Sequence, residues 1–203
     1  MRNVIVAVVY HSGFGHTARQ AEAVTRGAAR IAGVRTVLLT VEDAQSRWDE
    51  LHSADAIIFG TPTYMGSASA AFKSFMDASS SIFYGRRWQD KVAAGFTNSA
   101  SRSGDKLETL QQLAIFAAQH GMHWVSLGLP PGNNSSTGSE DDLNRLGFFL
   151  GAGAQSNTDE GPNTAPRASD LRTAEHLGKR VAVVAYELLR GRMVLETEES
   201  LAS

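Results

Sequence analysis

The stretch VIVAVVYHSGFGHTARQAEAV, from Val4 to Val24, decides the fold. Its first part is a nearly continuous Val- and Ile-rich run ending at Tyr10, the pattern of a strand covered on both faces. Ser12-Gly13-Phe14-Gly15-His16-Thr17 then leads directly into a helix, in which Ala18, Ala21, Val24, Ala28 and Ile31 recur at intervals of three and four and which Gly33 stops. A glycine turn from strand to helix leaves backbone N–H groups and the positive end of the helix dipole free for an anion. The hydroxyls of Ser12 and Thr17 can donate to a phosphate there.

Working outward, further apolar runs at 34–39, 56–59, 92–96 and 123–127 alternate with helical spacings. Leu107, Leu110, Ala114 and Ala117 mark one helix, ending at Gly121. Leu171, Ala174, Leu177, Val181, Val184 and Leu188 mark another, and 43–51 and 68–76 are shorter helix candidates. The alternation predicts an α/β fold, a doubly wound parallel sheet of five strands in the order 2-1-3-4-5 with helices on both faces. One domain over 1–190 is expected, with a 130–169 loop insertion near the active site, rich in Pro, Gly, Asn and Ser, and a C-terminal tail at 191–203, acidic from 196 on.

Composition narrows the function. With 19 basic and 21 acidic residues the chain carries a formal charge of -2, which gives no reason to expect nucleic acid. There is no cysteine, so disulfides, thiolate nucleophiles and cysteine-ligated metals are excluded, and redox chemistry requires an organic cofactor. His11, His52, His123 and His176 share no ligand spacing with acidic residues, so no metal site is expected. No apolar run approaches the roughly 20 residues of a membrane helix, and Met1-Arg2-Asn3 opens no signal peptide; a cytoplasmic protein is expected.

Ligands of open α/β sheets bind at the carboxyl ends of the strands. The third strand ends in Phe59-Gly60-Thr61-Pro62-Thr63-Tyr64-Met65-Gly66 and the fourth in Phe96-Thr97-Asn98-Ser99-Ala100-Ser101-Arg102-Ser103-Gly104. Three polar, small-residue loops therefore converge on one edge. A flat heteroaromatic ring can lie between Tyr64 and Met65, with fourth-loop amides reaching its carbonyls and ring nitrogens. The spelling Gly13-x-Gly15-x-x-Ala18 also satisfies a relaxed dinucleotide fingerprint. That alternative needs an acidic residue closing strand 2, and Glu42 and Asp43 come too late. A terminal phosphate fits the hydroxyl-rich loop better than a bridging pyrophosphate.

At these residues the chain resembles the WrbA group of flavodoxin-like NAD(P)H:quinone oxidoreductases. The similar stretches are Gly15-His16, Ile57-Ile58-Phe59-Gly60-Thr61-Pro62-Thr63, Phe75-Met76-Asp77, the loop from Phe96 to Gly104, His120-Gly121-Met122 and the helix after Pro166-Arg167-Ala168-Ser169. The resemblance implies non-covalently bound FMN. Its phosphate would sit at Ser12, Gly13, Phe14, Gly15, His16 and Thr17, and its ring at Pro62, Thr63, Tyr64, Met65 and Gly66. Further ring contacts would come from Thr97, Asn98, Ser99, Ala100, Ser101, Arg102, Ser103 and Gly104. It implies NAD(P)H as co-substrate, a quinone or similar acceptor, ping-pong exchange through one pocket, and a homodimer or homotetramer. His120 would be the catalytic side chain, pointing toward the flavin of its own or a neighbouring subunit; Phe14 would lie near the nicotinamide and Phe83 would close the substrate pocket.

The chain departs from the family pattern at Tyr64, where an arginine is common, and in its fourth loop, which is not a glycine run and leaves Arg102 to supply the charge. The insertion after strand 2 is largely absent. A flavodoxin-type electron carrier that binds FMN without oxidising NAD(P)H is the alternative function, although such carriers tend to be strongly acidic. A fold that has lost its flavin is a third reading. Alone, His120 before Gly121 also reads as a helix-end histidine. Arg86 and Arg87 read as a solvated pair near the pocket, and Trp48, Trp88 and Trp124 as packing residues, with Trp88 the one expected to be partly exposed.

Overall fold

The computed structural model describes residues 2–202; Met1 and Ser203, the last residue of the expected tail, lie outside them. β1 (Val4–Tyr10) pairs in parallel with β2 (Val34–Thr40) on one side and β3 (Ala56–Tyr64) on the other, and β3 pairs with β5 (Val92–Ser99). Two short strands, β6 (His123–Trp124) and β7 (Ala152–Gln155), complete the far edge along β5. The order is β2-β1-β3-β5-β6, with β4 (Ser67–Ala68) an antiparallel partner of β3. This is the flavodoxin-like class, with the expected order of its main strands.

The fifth position differs from expectation. β6 covers only the start of the predicted 123–127 strand, pairing with Val92 and Ala93, and β7 takes over opposite Phe96 to Ser99. The chain between them leaves the sheet and returns. β7 therefore lies inside the stretch read as loop, because Ala152-Gly153-Ala154-Gln155 has none of the β-branched or aromatic residues that mark a strand. Its neighbour Gly151 fits the edge because a Cβ there would stand 2.2 Å from the Gly95 carbonyl oxygen.

The helix α1 (His16–Ala29) and the long α7 (Ala168–Ala202) cover one face of the sheet. They cross closely at two glycines: a Cβ on Gly27 would stand 1.9 Å from the Glu175 carbonyl oxygen, and one on Gly178 would stand 1.9 Å from that of Val24. Continuing to Ala202, α7 makes the 191–203 stretch helical up to that residue. The other face is covered by α2 (Val41–Ser46), α3 (Trp48–Ser53), α4 (Ala70–Ala78), α5 (Ser80–Tyr84) and α6 (Lys106–Gln119). The single helix expected at 43–51 is thus two, broken at Arg47.

The second face is built on aromatic rings. Phe59, Phe72, Phe75, Trp88 and Phe116 pack edge-on and tilted with centroids 5.2–6.4 Å apart, each burial contributing roughly 1.5–3 kcal/mol. Trp88 corrects an expectation: it is fully buried. The adjacent Arg86 and Arg87 suggest surface, but Arg86 adopts a positive φ of 50° and the turn carries Trp88 inward, where it stacks on Phe75.

Candidate functional site

The loops after β1, β3 and β5 open onto one cavity of about 980 Å³, at the upper end of the ~300–1,000 Å³ of ligand pockets. Ser12, Phe14, His16 and Thr17 line it from the first loop, Pro62, Thr63, Tyr64 and Met65 from the second, and Asn98, Ser99 and Ala100 from the third. A fourth wall, Ser156 to Gly161, lies within the 130–169 stretch; its individual residues carried no sequence signal of their own, only loop composition.

The first loop brings the N-terminus of α1 to the cavity. Gly15 caps α1 with a left-handed φ of 85° and offers no side-chain acceptor, and the first turn holds no acidic residue. The Ser12 hydroxyl accepts from the Ala18 amide at 3.1 Å, curling the loop around the helix N-terminus. The fourth wall closes over it: His16 Nε2 donates to the Glu160 carbonyl at 2.8 Å, and Pro162 packs against Gly15, 2.9 Å from where a Cβ would stand. The helix N-terminus, its flanking hydroxyls and a first turn without acidic residues fit the phosphate of FMN, while Asp159 and Glu160 line the same cavity from the fourth wall.

Beneath the other loops runs a ladder of buried hydroxyls. Thr63 Oγ1 meets Thr97 Oγ1 and Thr109 Oγ1, each at 2.8 Å, and Thr61 meets Ser69, whose hydroxyl reaches His11 Nδ1 at 2.8 Å. Ser156 Oγ donates to Asn98 Oδ1 at 3.0 Å, joining the third loop to the fourth wall. Thr97 therefore supports the cavity from below. At the rim Phe14 and Tyr64 meet edge to face at 6.2 Å, and Met65, with a φ of 49°, is fully exposed. Partial burial pushes the Tyr64 phenol up from its ordinary value.

Several expected contacts stand elsewhere. Gly66, Ser101, Arg102, Ser103 and Gly104 do not line the cavity. The Arg102 guanidinium is ion-paired with Glu140, so the free charge expected there is engaged. Glu140 also binds Arg145, which is buried and holds Asp170 through two 2.8 Å bonds; Asp170 in turn accepts from the Gln155 amide. This network ties the insertion, β7 and the start of α7 to the third loop, where Gln155 Nε2 donates to the Ala100 carbonyl.

His120 and Phe83 also lie outside that lining. His120 ends α6, 6% exposed, with its ring 4.6 Å from Trp88 and 4.9 Å from Phe116. Burial pushes its pKa down to about 4. Its Nε2 is 3.0 Å from Ser79 Oγ, whose single proton goes to the Met76 carbonyl; the neutral imidazole therefore carries hydrogen on Nε2 and leaves Nδ1 a buried acceptor without a partner among the described residues. Phe83, half-exposed, covers His120 edge-on and packs on exposed Tyr84. Among the described residues there is no group of metal-ligating side chains and no helix long and apolar enough to cross a membrane.

The NADPH-dependent FMN reductase family matches residues 37–130. A protein named flavodoxin FldP from Pseudomonas aeruginosa is 45% identical over 89% of this chain and 96% of its own. An NAD(P)H dehydrogenase (quinone) from Archaeoglobus fulgidus is 34% identical over 90% of this chain and 98% of its own. The crystal structure of a flavodoxin, WrbA-like protein from Agrobacterium tumefaciens superposes with a TM-score of 0.71 at 43% identity, covering 91% of this chain and 99% of that one. Over nearly its whole length, then, the chain belongs to the WrbA-like family of flavodoxin-fold proteins.

Proposed function

We propose that the chain is a cytoplasmic flavoprotein that binds FMN non-covalently in this cavity and transfers two electrons from NAD(P)H to a quinone or similar acceptor. The observation that carries the reading is the convergence of three strand-end loops on one cavity, with the N-terminus of α1 among its lining and no acidic residue in that helix's first turn. The matched reductase family and the quinone dehydrogenase relatives support it.

Bound FMN would supply the hydride acceptance and electron delivery. The first loop would hold the phosphate through its amides and the Ser12 and Thr17 hydroxyls, while Thr63, Tyr64, Asn98, Ser99 and Ala100 orient the ring. Phe14 and Met65, exposed at the mouth, would receive nicotinamide and acceptor in turn, which gives ping-pong kinetics. His120 and Phe83 would act from a second copy, completing its site in a homodimer or homotetramer. On that reading neutral His120, its N–H held by Ser79, contributes a bare nitrogen and never an imidazolium near pH 7. A monomeric mass by light scattering at micromolar concentration would remove this role.

The electron-carrier reading is favoured by one observation, the name of the 45% identical relative. Anaerobic addition of NADH or NADPH to the FMN-loaded protein separates the two. Bleaching near 450 nm that a quinone reverses supports the reductase; bound flavin that neither nucleotide reduces supports the carrier.

A further inference from the structure

Lys106 is the first residue of α6 and is fully buried. A cation in the first turn of a helix opposes the helix dipole. Removal from water adds a second cost, visible as a pKa pushed down to about 8. Among the described residues no carboxylate lies within ion-pair distance of its Nζ; the charged groups that act on it are Asp170, favourably, and Arg145, unfavourably. Starting a helix requires none of this.

What the ammonium does hold is the third loop. Nζ donates to the carbonyls of Ser101 at 2.6 Å, Arg102 at 3.1 Å and Ser103 at 3.4 Å. Gln155 Nε2 takes the Ala100 carbonyl at 3.1 Å, and the Ser156 amide takes that of Ser99 at 3.2 Å. Every carbonyl from Ser99 to Ser103 is thus tied to a donor of the protein. No amide from Ala100 to Gly104 donates to an acceptor among the described residues. A trans peptide carries C=O and N–H on opposite edges, so carbonyls drawn toward Lys106 turn the amides away from it.

We infer that Lys106 is a positioning residue of the flavin site: from behind the cavity wall it locks the Ser101–Ser103 turn that carries Ser99 and Ala100, the residues of this loop that line the cavity, and it places an unpaired positive charge there that favours reduced over oxidised cofactor. Two-electron reduction with uptake of one proton leaves a flavin one negative charge richer, and donors and cations near the ring respond to that charge. Arg102, the exposed cation of the same loop, is engaged by Glu140, so Lys106 takes the part that the sequence suggests for Arg102. The inference rests on the FMN-binding reading.

The test compares wild type with Lys106→Met, which keeps the volume and loses the charge, and with Lys106→Gln, which keeps a neutral donor and stands in should the Met variant not fold. Affinity for oxidised and for reduced FMN is measured by anaerobic fluorescence titration, the midpoint potential against reference dyes, and the apoprotein's melting temperature alongside. Affinity for reduced FMN should fall about tenfold more than affinity for oxidised FMN, which lowers the two-electron midpoint by about 30 mV. Equal losses in both states, or none, with wild type binding FMN normally, overturn the role of Lys106. Wild type that binds no FMN overturns the reading beneath it.

Discussion

The hydroxyl of Tyr64 lies over Gly13, 2.5 Å from where a Cβ on that glycine would stand. The second loop thus leans on the first across the cavity mouth, and the contact depends on a missing methyl group. Gly13 does not need a left-handed backbone, so alanine is conformationally allowed there. Gly13→Ala should fold with a melting temperature close to wild type, because the tip of a side chain can move. The displaced ring would turn into the space proposed for the isoalloxazine, and FMN affinity should fall about tenfold. In a Tyr64→Phe background the same substitution should cost much less, since the atom it strikes is gone. Fluorescence titration of the four proteins checks this; an equal loss in both backgrounds would separate the two residues.

Acid should unfold the protein partly through His120. Its folded pKa of about 4 lies below the ordinary 6.5, so between those values the unfolded chain binds more protons and stability falls as the pH falls. Above about pH 6.5 the contribution is constant. At about 1.4 kcal/mol per pKa unit, roughly 2 kcal/mol should be lost between pH 7 and 4.5. Urea unfolding of His120→Gln over the same range should show a shallower decline than wild type, and parallel curves would refute the assignment.

The insertion is fastened by charge. Arg145 and Asp170 are nearly fully buried, and removing one partner strands the other in the interior. Asp170→Ala should cost about 3 kcal/mol in urea unfolding, and FMN affinity should fall as well, because the Asp170 carboxylate orients Gln155 and Gln155 holds the Ala100 carbonyl. Replacing both charges, with Arg145→Met and Asp170→Leu together, should cost less than the sum of the single changes. Strict additivity would mean that the pair is not coupled.

The limits of sequence reading follow the same physics. β1, its glycine loop and α1 are contiguous, and their pattern of strand, turn and amphipathic helix is local, so their place at the cavity could be anticipated. The parallel order followed from alternation alone. β7 was hidden because its small residues are selected by what lies against them, as the Gly95 carbonyl against Gly151 illustrates. Ser156 to Gly161 reach the cavity only after the chain has left the sheet and returned. No sequence pattern singles out Lys106. Its burial depends on carbonyls that a bend at Gly104 and Asp105, both at positive φ, presents to it.

The motif Phe-Gly-Thr-Pro-Thr carries its own explanation at Gly60. Gly60 pairs across the sheet with Phe96, whose ring lies over it: a Cβ at position 60 would stand 2.0 Å from the ring. Phe96 is itself fully buried and cannot swing aside as Tyr64 can. Gly60→Ala should therefore destabilise the fold by about 3 kcal/mol, the upper range for overpacking a core, with β3 and β5 forced apart just below the loops that line the cavity. Combining it with Phe96→Leu should recover part of that loss, although Phe96→Leu alone is destabilising. Chemical denaturation of the two single variants and the double variant measures the coupling. Losses that simply add would show that the glycine serves some need other than room for the ring.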